Sequence, residues 1–194
     1  MSAEILINVT PMETRVALIE QGLLQEIYIE RHRRAGPVGN IYMGKVVRVM
    51  PGMQAAFVDI GLERAGFIHA ADIAAVDAEG FEVENREPAI GQLVREGQML
   101  VVQVVKEPIA TKGARLTTHL SVASRHLVYM PRNRHIGISQ RIESEEERAR
   151  LLGVMTQCLE EEGLLRAGGF ILRTAAEGAN AAELSSDIRF LRRL

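Results

Sequence analysis

The sequence predicts a β-rich α+β fold, in which strand-like segments fill the first part of the chain and helical patterns begin only after residue 143. The main indication is a stretch of about 80 residues of short strand-like runs with Gly-rich turns, which is typical of a small closed barrel such as the OB fold. The composition agrees, because 47% hydrophobic and 25% charged residues are ordinary for a globular protein with an apolar core.

The first predicted segment, residues 1–36, is a three-stranded meander. Apolar and polar residues alternate along its strands, and Pro11 and Gly22 mark the turns between them. The predicted strands are 5–9, 14–19 and 24–30. A sheet this small is not stable alone, so we expect it to pack on another part of the protein. The Arg-rich run at 31–37, which ends in Gly-Pro, breaks the alternation and marks a boundary.

The second predicted segment, residues 37–119, contains the barrel. Turns at Pro51-Gly52 and at Gly61 separate its first strands. The predicted strands are 41–50, 54–60, 65–69 and 99–105. Residues 77–96 hold six acidic side chains together with Gly and Pro, and we interpret them as a solvated excursion without chemistry.

The third predicted segment, residues 120–194, carries the helices. Ser144 and Glu147 have capping-box spacing at the start of the first helix, and Gly163 is expected to end it. Its predicted buried stripe is Leu151, Leu152, Met155 and Leu159. A short strand at 170–172 follows, and Asn180-x-x-Glu183 opens a second helix. The predicted apolar face of that helix is Leu184, Ile188 and Leu191.

Cysteine content and charge narrow the function classes. The single Cys158 forms neither an internal disulfide nor a Cys-rich zinc site, which predicts a cytosolic protein. No apolar run approaches the roughly 20 residues that span a bilayer, so we expect no membrane segment. The net charge of −2 does not indicate nucleic-acid binding, but residues 106–141 hold seven basic side chains and one acidic one. That stretch is interpreted as a solvated polar face, as a surface for an anion, or as a surface for an acidic partner protein.

Two phenylalanines are candidates for binding rather than packing. Phe57 and Phe67 are predicted to point to the polar sides of their strands, because their apolar sequence neighbours occupy the other side. Two rings beside His69 suit single-stranded nucleic acid, since every base offers a π-face. Alternation alone equally allows both rings in the core of a closed barrel. Lys112 and Arg115 come after the last predicted barrel strand, 99–105, and are candidates for phosphate contacts.

A second candidate site lies at the end of the predicted strand 170–172. Arg173 and Thr174 come directly after it, and a strand that delivers an arginine beside backbone amides suits a phosphate group. Thr174-x-x-Glu177 also has capping-box spacing. A structural cap with a surface arginine is therefore the alternative, and spacing alone favours it.

Four motifs in order resemble the S1 RNA-binding domain of the ribonuclease E/G family. They are NIYMGKV at 40–46, AAFVDIG at 55–61, GFIH at 66–69 and KGARLT at 112–117. The opening residues 8–17 and the run RIES at 141–144 resemble the G branch of that family more than the E branch. The resemblance spans essentially the whole chain. It implies an S1 barrel inserted after N-terminal strands of an RNase H-like subdomain, followed by an α/β 5′-sensor region.

The resemblance also implies residues that hold RNA on the barrel. Phe57, Phe67 and Lys112 match the RNA-binding positions of the family's S1 domain. His69 resembles a histidine that is common in other S1 domains. We therefore expect these side chains, with Arg115, to bind single-stranded RNA.

For the sensor region, the resemblance implies recognition of a 5′-monophosphate by Arg173 and Thr174. The backbone near Ser124 and Val128 is implied to assist them. Ribonuclease E has glycine where this chain has Ser124, and a contact made by backbone atoms is expected to survive that difference. Arg141 is a further candidate for RNA contact.

For the whole protein, the resemblance implies a cytoplasmic, Mg²⁺-dependent endoribonuclease that matures ribosomal RNA precursors and degrades messenger RNA. It also implies a homo-oligomer formed through downstream segments with a Zn²⁺ link between subunits. The family's metal-binding aspartates and cysteines are not among these residues, and no clustered carboxylates replace them, so we expect this chain to bind RNA without cutting it. The competing hypothesis is a stand-alone S1-type RNA-binding module without catalysis.

Overall fold

The computed structural model describes residues 3–31, 36–83, 88–108, 112–164 and 167–194. The chain divides into two compact units, Met1–Pro37 and Val38–Leu194. The first unit is an antiparallel sheet of β1 (Ala3–Val9), β2 (Glu13–Glu20) and β3 (Leu23–Arg31). It confirms the predicted meander. Gln21 and Gly22 turn the chain between β2 and β3 with positive φ angles of 52° and 78°.

The second unit begins with a closed five-stranded barrel in the order β4-β5-β6-β8-β7. Its strands are β4 (Ile41–Met50), β5 (Ala55–Asp59), β6 (Gly66–His69), β7 (Met99–Lys106) and β8 (Arg115–Thr117). Alternate residues point inward, and each buried Val, Ile or Leu side chain contributes about 1.5–3 kcal/mol to stability. Five of the completely buried ones are Val46, Val58, Ile68, Val102 and Leu116. The predicted barrel is confirmed.

The acidic excursion between β6 and β7 is not solvated throughout, so that prediction is wrong in part. The short helix α1 (Ile90–Leu93) places Ile90 in the barrel core, where it is completely buried. Phe81 packs against Arg134, whose guanidinium carbon lies 4.1 Å from the ring centroid. The Glu82 backbone N–H donates to the Arg132 carbonyl at 2.7 Å. A buried isoleucine, a cation–π contact and a backbone hydrogen bond therefore hold this acidic segment on the rest of the unit. Residues 84–87 of this stretch lie outside the described residues.

The rest of the second unit is a mixed four-stranded sheet with two helices. The elements are β9 (Val122–Ala123), β10 (Leu127–Met130), β11 (Ile136–Ile138), α2 (Glu145–Glu161), β12 (Gly169–Leu172) and α3 (Ala181–Arg193). The strand order is β11-β12-β10-β9, and β11 runs parallel to β12 while the other pairs are antiparallel. The buried residues of both helices share one core with Leu127, Phe170 and Leu172 of this sheet.

The helix signals are confirmed at most positions. Asn180 and Glu183 form a complete capping box, and Leu184, Ile188 and Leu191 are buried as predicted. Gly163 follows α2 with a positive φ of 67°. Ser144 caps α2 by accepting from the Glu147 backbone N–H at 3.3 Å.

Two details of α2 differ from the prediction. The Glu147 carboxylate does not complete a capping box, because it accepts from the Arg150 guanidinium and from the Gly178 backbone N–H. Leu152 is 42% exposed, and Cys158 occupies the buried stripe instead at 1% exposure. The Gly178 N–H that binds Glu147 is distant in sequence, and so is the Ala181 carbonyl that accepts from the Cys158 thiol at 3.6 Å, and helical periodicity describes neither contact.

The barrel and the mixed sheet are joined by the side-chain amide of Gln103. Its Nε2 atom donates to the carbonyls of Gly39 and Ser121 at 3.0 and 2.8 Å, and its Oε1 atom accepts from the Ser121 N–H at 2.9 Å. Gln103 is 9% exposed, so these bonds satisfy a buried polar group. They fix the chain where it leaves the barrel for β9.

Candidate nucleic-acid interface

A row of four side chains crosses the outer wall of the barrel. In the strand pairing, Arg48 is opposite Phe57, Phe57 is opposite Phe67, and Phe67 is opposite Arg115. Directly paired residues project from the same side of a sheet, so two cations flank two rings. The ring centroids of Phe57 and Phe67 are 5.9 Å apart, with the ring planes at 70°. Sequence reasoning missed Arg48, because only the strand register places it beside Phe57.

Both rings lie outside the barrel core. Their strand neighbours Ala56 and Ile68 belong to the core and are completely buried, whereas Phe57 and Phe67 are only half-buried. Of the two interpretations that alternation left open, this geometry agrees with rings on the outer face. Contact between these rings and RNA stays a prediction.

Lys112 is held near Phe67 by a close approach of two backbone segments. The Phe67 N–H donates to the Ala114 carbonyl at 2.7 Å. A Cβ atom at Gly113 would lie 1.9 Å from the Ala65 carbonyl oxygen, so only glycine allows this approach. Lys112 itself is exposed. The KGAR motif therefore has a structural reason for its glycine and presents its lysine to solvent.

Arg115 and His69 each have an internal partner. The Arg115 guanidinium donates two hydrogen bonds to the Asp72 carboxylate, at 3.1 and 3.2 Å. This pairing partly neutralises the charge of Arg115 and fixes its orientation beside Phe67. His69 Nδ1 accepts from the Ala71 N–H at 3.2 Å, which leaves Nε2 as the ring's other polar atom.

A cleft of about 1010 Å³ lies between the barrel and the loop before β11. The residues that line it include His69 and His119 from the barrel side and Asn133, Arg134 and His135 from the loop. His69 is therefore shared between this cleft and the strand that bears Phe67. The cleft adjoins the barrel surface on which the ring pair lies.

Arg173 follows the last residue of β12 and is the cation of the predicted phosphate site. Its backbone N–H donates to the His126 carbonyl at 2.8 Å, which fixes the point where the side chain leaves the sheet. Its guanidinium donates to the carbonyls of Ser124 and Arg125 at 2.5 and 3.4 Å. Carbonyls carry no net charge, so these contacts orient the exposed guanidinium without neutralising it.

Thr174 meets Ser139 because β11 and β12 run parallel. The Ser139 N–H donates to the Leu172 carbonyl at 2.8 Å, and the hydroxyl oxygens of Ser139 and Thr174 lie 3.2 Å apart. The alternative in which Thr174 and Glu177 form a capping box is wrong. Arg173 occupies the N-cap of a short 3₁₀ turn, Thr174–Ala176, and no side chain caps it.

Arg141 lies in the loop after Ser139. Its backbone N–H donates to the Ser139 hydroxyl at 3.4 Å, and its side chain is exposed. Arg148 of α2 holds this loop by donating to the carbonyls of Ser139 and Ile142 at 3.0 and 3.1 Å. The backbone of Arg141 is therefore placed beside the pair of hydroxyl groups. Sequence reasoning missed Ser139, because a lone serine after a three-residue strand carries no periodic signal.

Val128 lies on β10, the strand next to β12, and Ser124 lies in the turn before β10. Val128 is half-buried and pairs with Ile171 of β12. Ser124 ends the short strand pair beside it, with its N–H donating to the Leu127 carbonyl at 2.8 Å. Asp187 also belongs to this cluster, because it accepts from the Ser124 hydroxyl at 2.8 Å. The structure thus joins Arg173 to Ser124 and Thr174 to Ser139, places the Arg141 N–H on the Ser139 hydroxyl, and adds Asp187 beside Ser124.

Two family models match separate parts of the chain. The S1 RNA binding domain model matches residues 37–118, and the Ribonuclease E/G family model matches residues 121–194. Ribonuclease G of Haemophilus influenzae is 58% identical over 197 residues, which cover 100% of this chain and 39% of that protein. The chain belongs to the ribonuclease E/G family.

Two further relatives distinguish the branches of the ribonuclease E/G family. Ribonuclease G of Escherichia coli K12 is 56% identical over 201 residues, which cover 100% of this chain and 39% of that protein. Ribonuclease E of Escherichia coli K12 is 40% identical over 187 residues, which cover 95% of this chain and 17% of that protein. The predicted similarity to the G branch is confirmed. The chain spans 39% of the length of these ribonuclease G relatives.

The described residues contain no group of three or more His, Cys, Asp or Glu side chains placed to hold a metal ion. None of the helices in these parts of the chain has the length and hydrophobicity that crossing a bilayer requires. We call Arg48, Phe57, Phe67 and Arg115 the ring row, and Arg173 with Ser124, Thr174, Ser139 and Arg141 the Arg173 cluster.

Proposed function

We propose that this chain is the part of a single-strand-specific endoribonuclease that binds RNA and senses a 5′-monophosphate. The observation that carries the proposal is the exposed Arg173 guanidinium, which neutral carbonyls orient at the start of a turn where Thr174 pairs its hydroxyl with that of Ser139. In the same compact unit, an S1 barrel carries two half-buried rings between two arginines. The family membership supports maturation of ribosomal RNA precursors and decay of messenger RNA as the roles of the whole protein.

The ring row is proposed to hold the body of the RNA strand. Bases of single-stranded RNA stack on aromatic rings regardless of their sequence, and cations beside the rings contact the phosphates. Lys112 is an exposed cation near Phe67, and Arg48 lies beside Phe57. His69 extends this surface toward the cleft of about 1010 Å³. The arrangement fits a flexible single strand, since duplexed bases do not expose their faces.

The Arg173 cluster is proposed to hold the 5′-phosphate. A phosphomonoester carries more negative charge than an internal phosphodiester, so an uncompensated guanidinium prefers the terminal group. The hydroxyl groups of Thr174 and Ser139 lie together and are donors for phosphate oxygens. Arg141 is proposed to contact the RNA nearby. Binding at both sites would hold one RNA strand at two points, and this would position the substrate.

The cutting step is proposed to belong to parts of the protein other than these residues. The described residues offer no ligand set for the Mg²⁺ or Zn²⁺ that the family implies, so we assign no step through a metal to this chain. We further propose that residues 1–36 are strands of an RNase H-like subdomain. Finally, we propose that the whole protein is cytoplasmic and forms a homo-oligomer through segments other than these residues.

The deciding experiment is a binding titration with one single-stranded RNA carrying either a 5′-monophosphate or a 5′-hydroxyl. We expect the parent chain to prefer the 5′-monophosphate. Arg173→Ala is expected to remove that preference and to spare the affinity for 5′-hydroxyl RNA, because the ring row is unchanged. Arg193→Ala, which removes an exposed arginine from the end of α3, is the matched control. Equal discrimination by parent and Arg173→Ala would reject the proposal.

The same titration separates the proposal from a stand-alone S1-type module. A module that uses only the ring row binds both RNAs equally in the parent chain. Its affinity would still depend on Phe57 and Phe67. The 5′-end preference of the parent is therefore the discriminating measurement.

A further inference from the structure

Asp187 of α3 faces a turn that is distant from it in sequence. Its Oδ2 atom accepts from the Ser124 hydroxyl at 2.8 Å and from the His126 backbone N–H at 2.7 Å. The same oxygen lies 3.2 Å from His126 Nδ1, without the alignment of a hydrogen bond. Hydrogen bonds to a carboxylate are short and strong. Asp187 therefore fixes the turn at residues 124–126 relative to α3.

The same turn holds Arg173 from its other side. The Ser124 carbonyl accepts from the Arg173 guanidinium, and the His126 carbonyl accepts from the Arg173 backbone N–H. Asp187 and Arg173 thus bind the same two residues from different elements. Loss of the carboxylate would remove two hydrogen bonds from the turn whose carbonyls accept from Arg173.

Electrostatics argue against a direct contact between Asp187 and an anion. A carboxylate close to a phosphate site weakens phosphate binding through Coulomb repulsion. The side chain of Asp187 is only 17% exposed, so its charge also carries a desolvation cost. Anchoring of α3 does not require it, because a capping box and three buried side chains already hold this helix, namely Leu184, Ile188 and Leu191. The two hydrogen bonds from the turn to Asp187 therefore offset the desolvation cost of its charge.

We propose that Asp187 is a positioning residue for the 5′-phosphate site, where it holds the turn at residues 124–126 in the geometry that orients the Arg173 guanidinium. This inference rests on the proposed function, because it requires that Arg173 binds a 5′-phosphate. Asp187 does not contact the phosphate. The Ser124 hydroxyl supplies one of the two links, so a serine at this position adds a tie that a residue without a hydroxyl group lacks.

The test measures the ratio of the dissociation constants of 5′-hydroxyl and 5′-monophosphate RNA for the 194-residue chain. Asp187→Ala is expected to lower this ratio about tenfold, a change on the scale of one hydrogen bond to a charged group. Asp187→Asn keeps an acceptor oxygen and is expected to fall between Asp187→Ala and the parent. Glu160→Ala removes an exposed carboxylate from α2, controls for net charge and leaves the ratio at the parental value.

A role in folding alone gives a different result. It predicts a lower melting temperature for Asp187→Ala with the ratio unchanged, and that outcome overturns the inference. Ser124→Ala removes a single hydroxyl and serves as the second variant where Asp187→Ala does not fold. A lowered ratio in Ser124→Ala supports the positioning role, and a parental ratio overturns it.

Arg173→Ala is measured in parallel so that two failures are distinguished. A parent whose preference depends on Arg173 but not on Asp187 overturns this inference alone. A parent with no preference for either 5′ end overturns the proposed function, and this inference with it.

Discussion

At the scale of single residues, the two rings and the nearby cations are expected to contribute differently to the proposed RNA binding. Stacking of a base on an aromatic ring is worth about 1–3 kcal/mol, whereas an exposed ion pair is worth about 0–1 kcal/mol. Phe57 and Phe67 form one pair with 5.9 Å between ring centroids, so they act as one platform. We therefore expect the rings to set the affinity for a single strand and the cations to set its dependence on salt.

Removal of either ring is the residue-scale prediction. Phe57→Ala and Phe67→Ala are each expected to weaken binding of single-stranded RNA by about 1–3 kcal/mol, through loss of base stacking. Fluorescence anisotropy titration with a labelled oligonucleotide measures the change. Phe190→Ala, at a ring on α3 that is 51% exposed, is the matched control. Unchanged RNA affinity in both barrel variants would instead favour a surface for an acidic partner protein.

At the scale of elements, the first turn of α2 ties the end of the Arg173 cluster in place. The Glu147 carboxylate accepts from the Arg150 guanidinium at 2.6 and 2.7 Å and from the Gly178 N–H at 2.8 Å. Arg150 also donates to the Ala179 carbonyl at 3.1 Å. These contacts bridge α2 and the segment that follows the Thr174–Ala176 turn. The sequence predicts a local capping box at the start of α2, whereas Glu147 and Arg150 instead bind the backbone at residues 178 and 179.

The pH dependence of this tie is the element-scale prediction. The Arg150 guanidinium, and then the Gly178 N–H, lower the pKa of Glu147 from 4.5 to about 2. A lowered folded-state pKa stabilises the fold above the unfolded pKa of 4.5, and this contribution is lost as the pH falls toward 2. Glu147→Gln is therefore expected to be less stable than the parent at neutral pH, with a difference that shrinks in acid.

Urea unfolding of parent and Glu147→Gln across that pH range measures the effect. Glu160→Gln, at an exposed position of α2, is the control and is expected to match the parent throughout. A stability difference that stays constant from neutral pH to below pH 4.5 would contradict the assignment of this tie to the ionised carboxylate.

At the scale of the whole molecule, the proposed RNA binding is expected to depend on local rather than net charge. The net charge of −2 repels RNA weakly at long range. The Debye length is about 8 Å at physiological ionic strength, so a phosphate at the surface senses mainly the cations beside it. Arg48, Lys112, Arg115 and Arg173 supply such cations locally. A chain with a small negative charge is therefore compatible with an anionic ligand.

The salt dependence of binding is the prediction at this scale. Each phosphate contact with a single strand contributes about −0.7 to the slope of log K against log salt concentration. Lys112→Ala is expected to reduce the magnitude of that slope by about 0.7. Titrations at several salt concentrations provide the slope, with Arg193→Ala as the control. If Lys112→Ala has the same slope as the parent, Lys112 does not contact an RNA phosphate.

The barrel and the helices were predictable because their signals are local. Strands of five to ten residues such as β4 and β5 repeat the apolar alternation often enough to be recognised. The strands β9 and β11 have two and three residues, too few for a period to show. The burial of Ile90 was not predicted for a related reason. The composition of residues 77–96 is rich in acidic side chains, and it does not show that a single apolar residue among them is buried.

The sequence by itself determined four of the five barrel strands with their turns, and the cap at Asn180. Each depends on interactions within a few positions along the chain, which periodicity and capping rules describe. Only the tertiary structure decided that Ser124 meets Arg173 across 49 residues and Asp187 across 63. Such contacts depend on which strands pair and which helix packs on them. That choice minimises the free energy of the whole fold and leaves no local pattern.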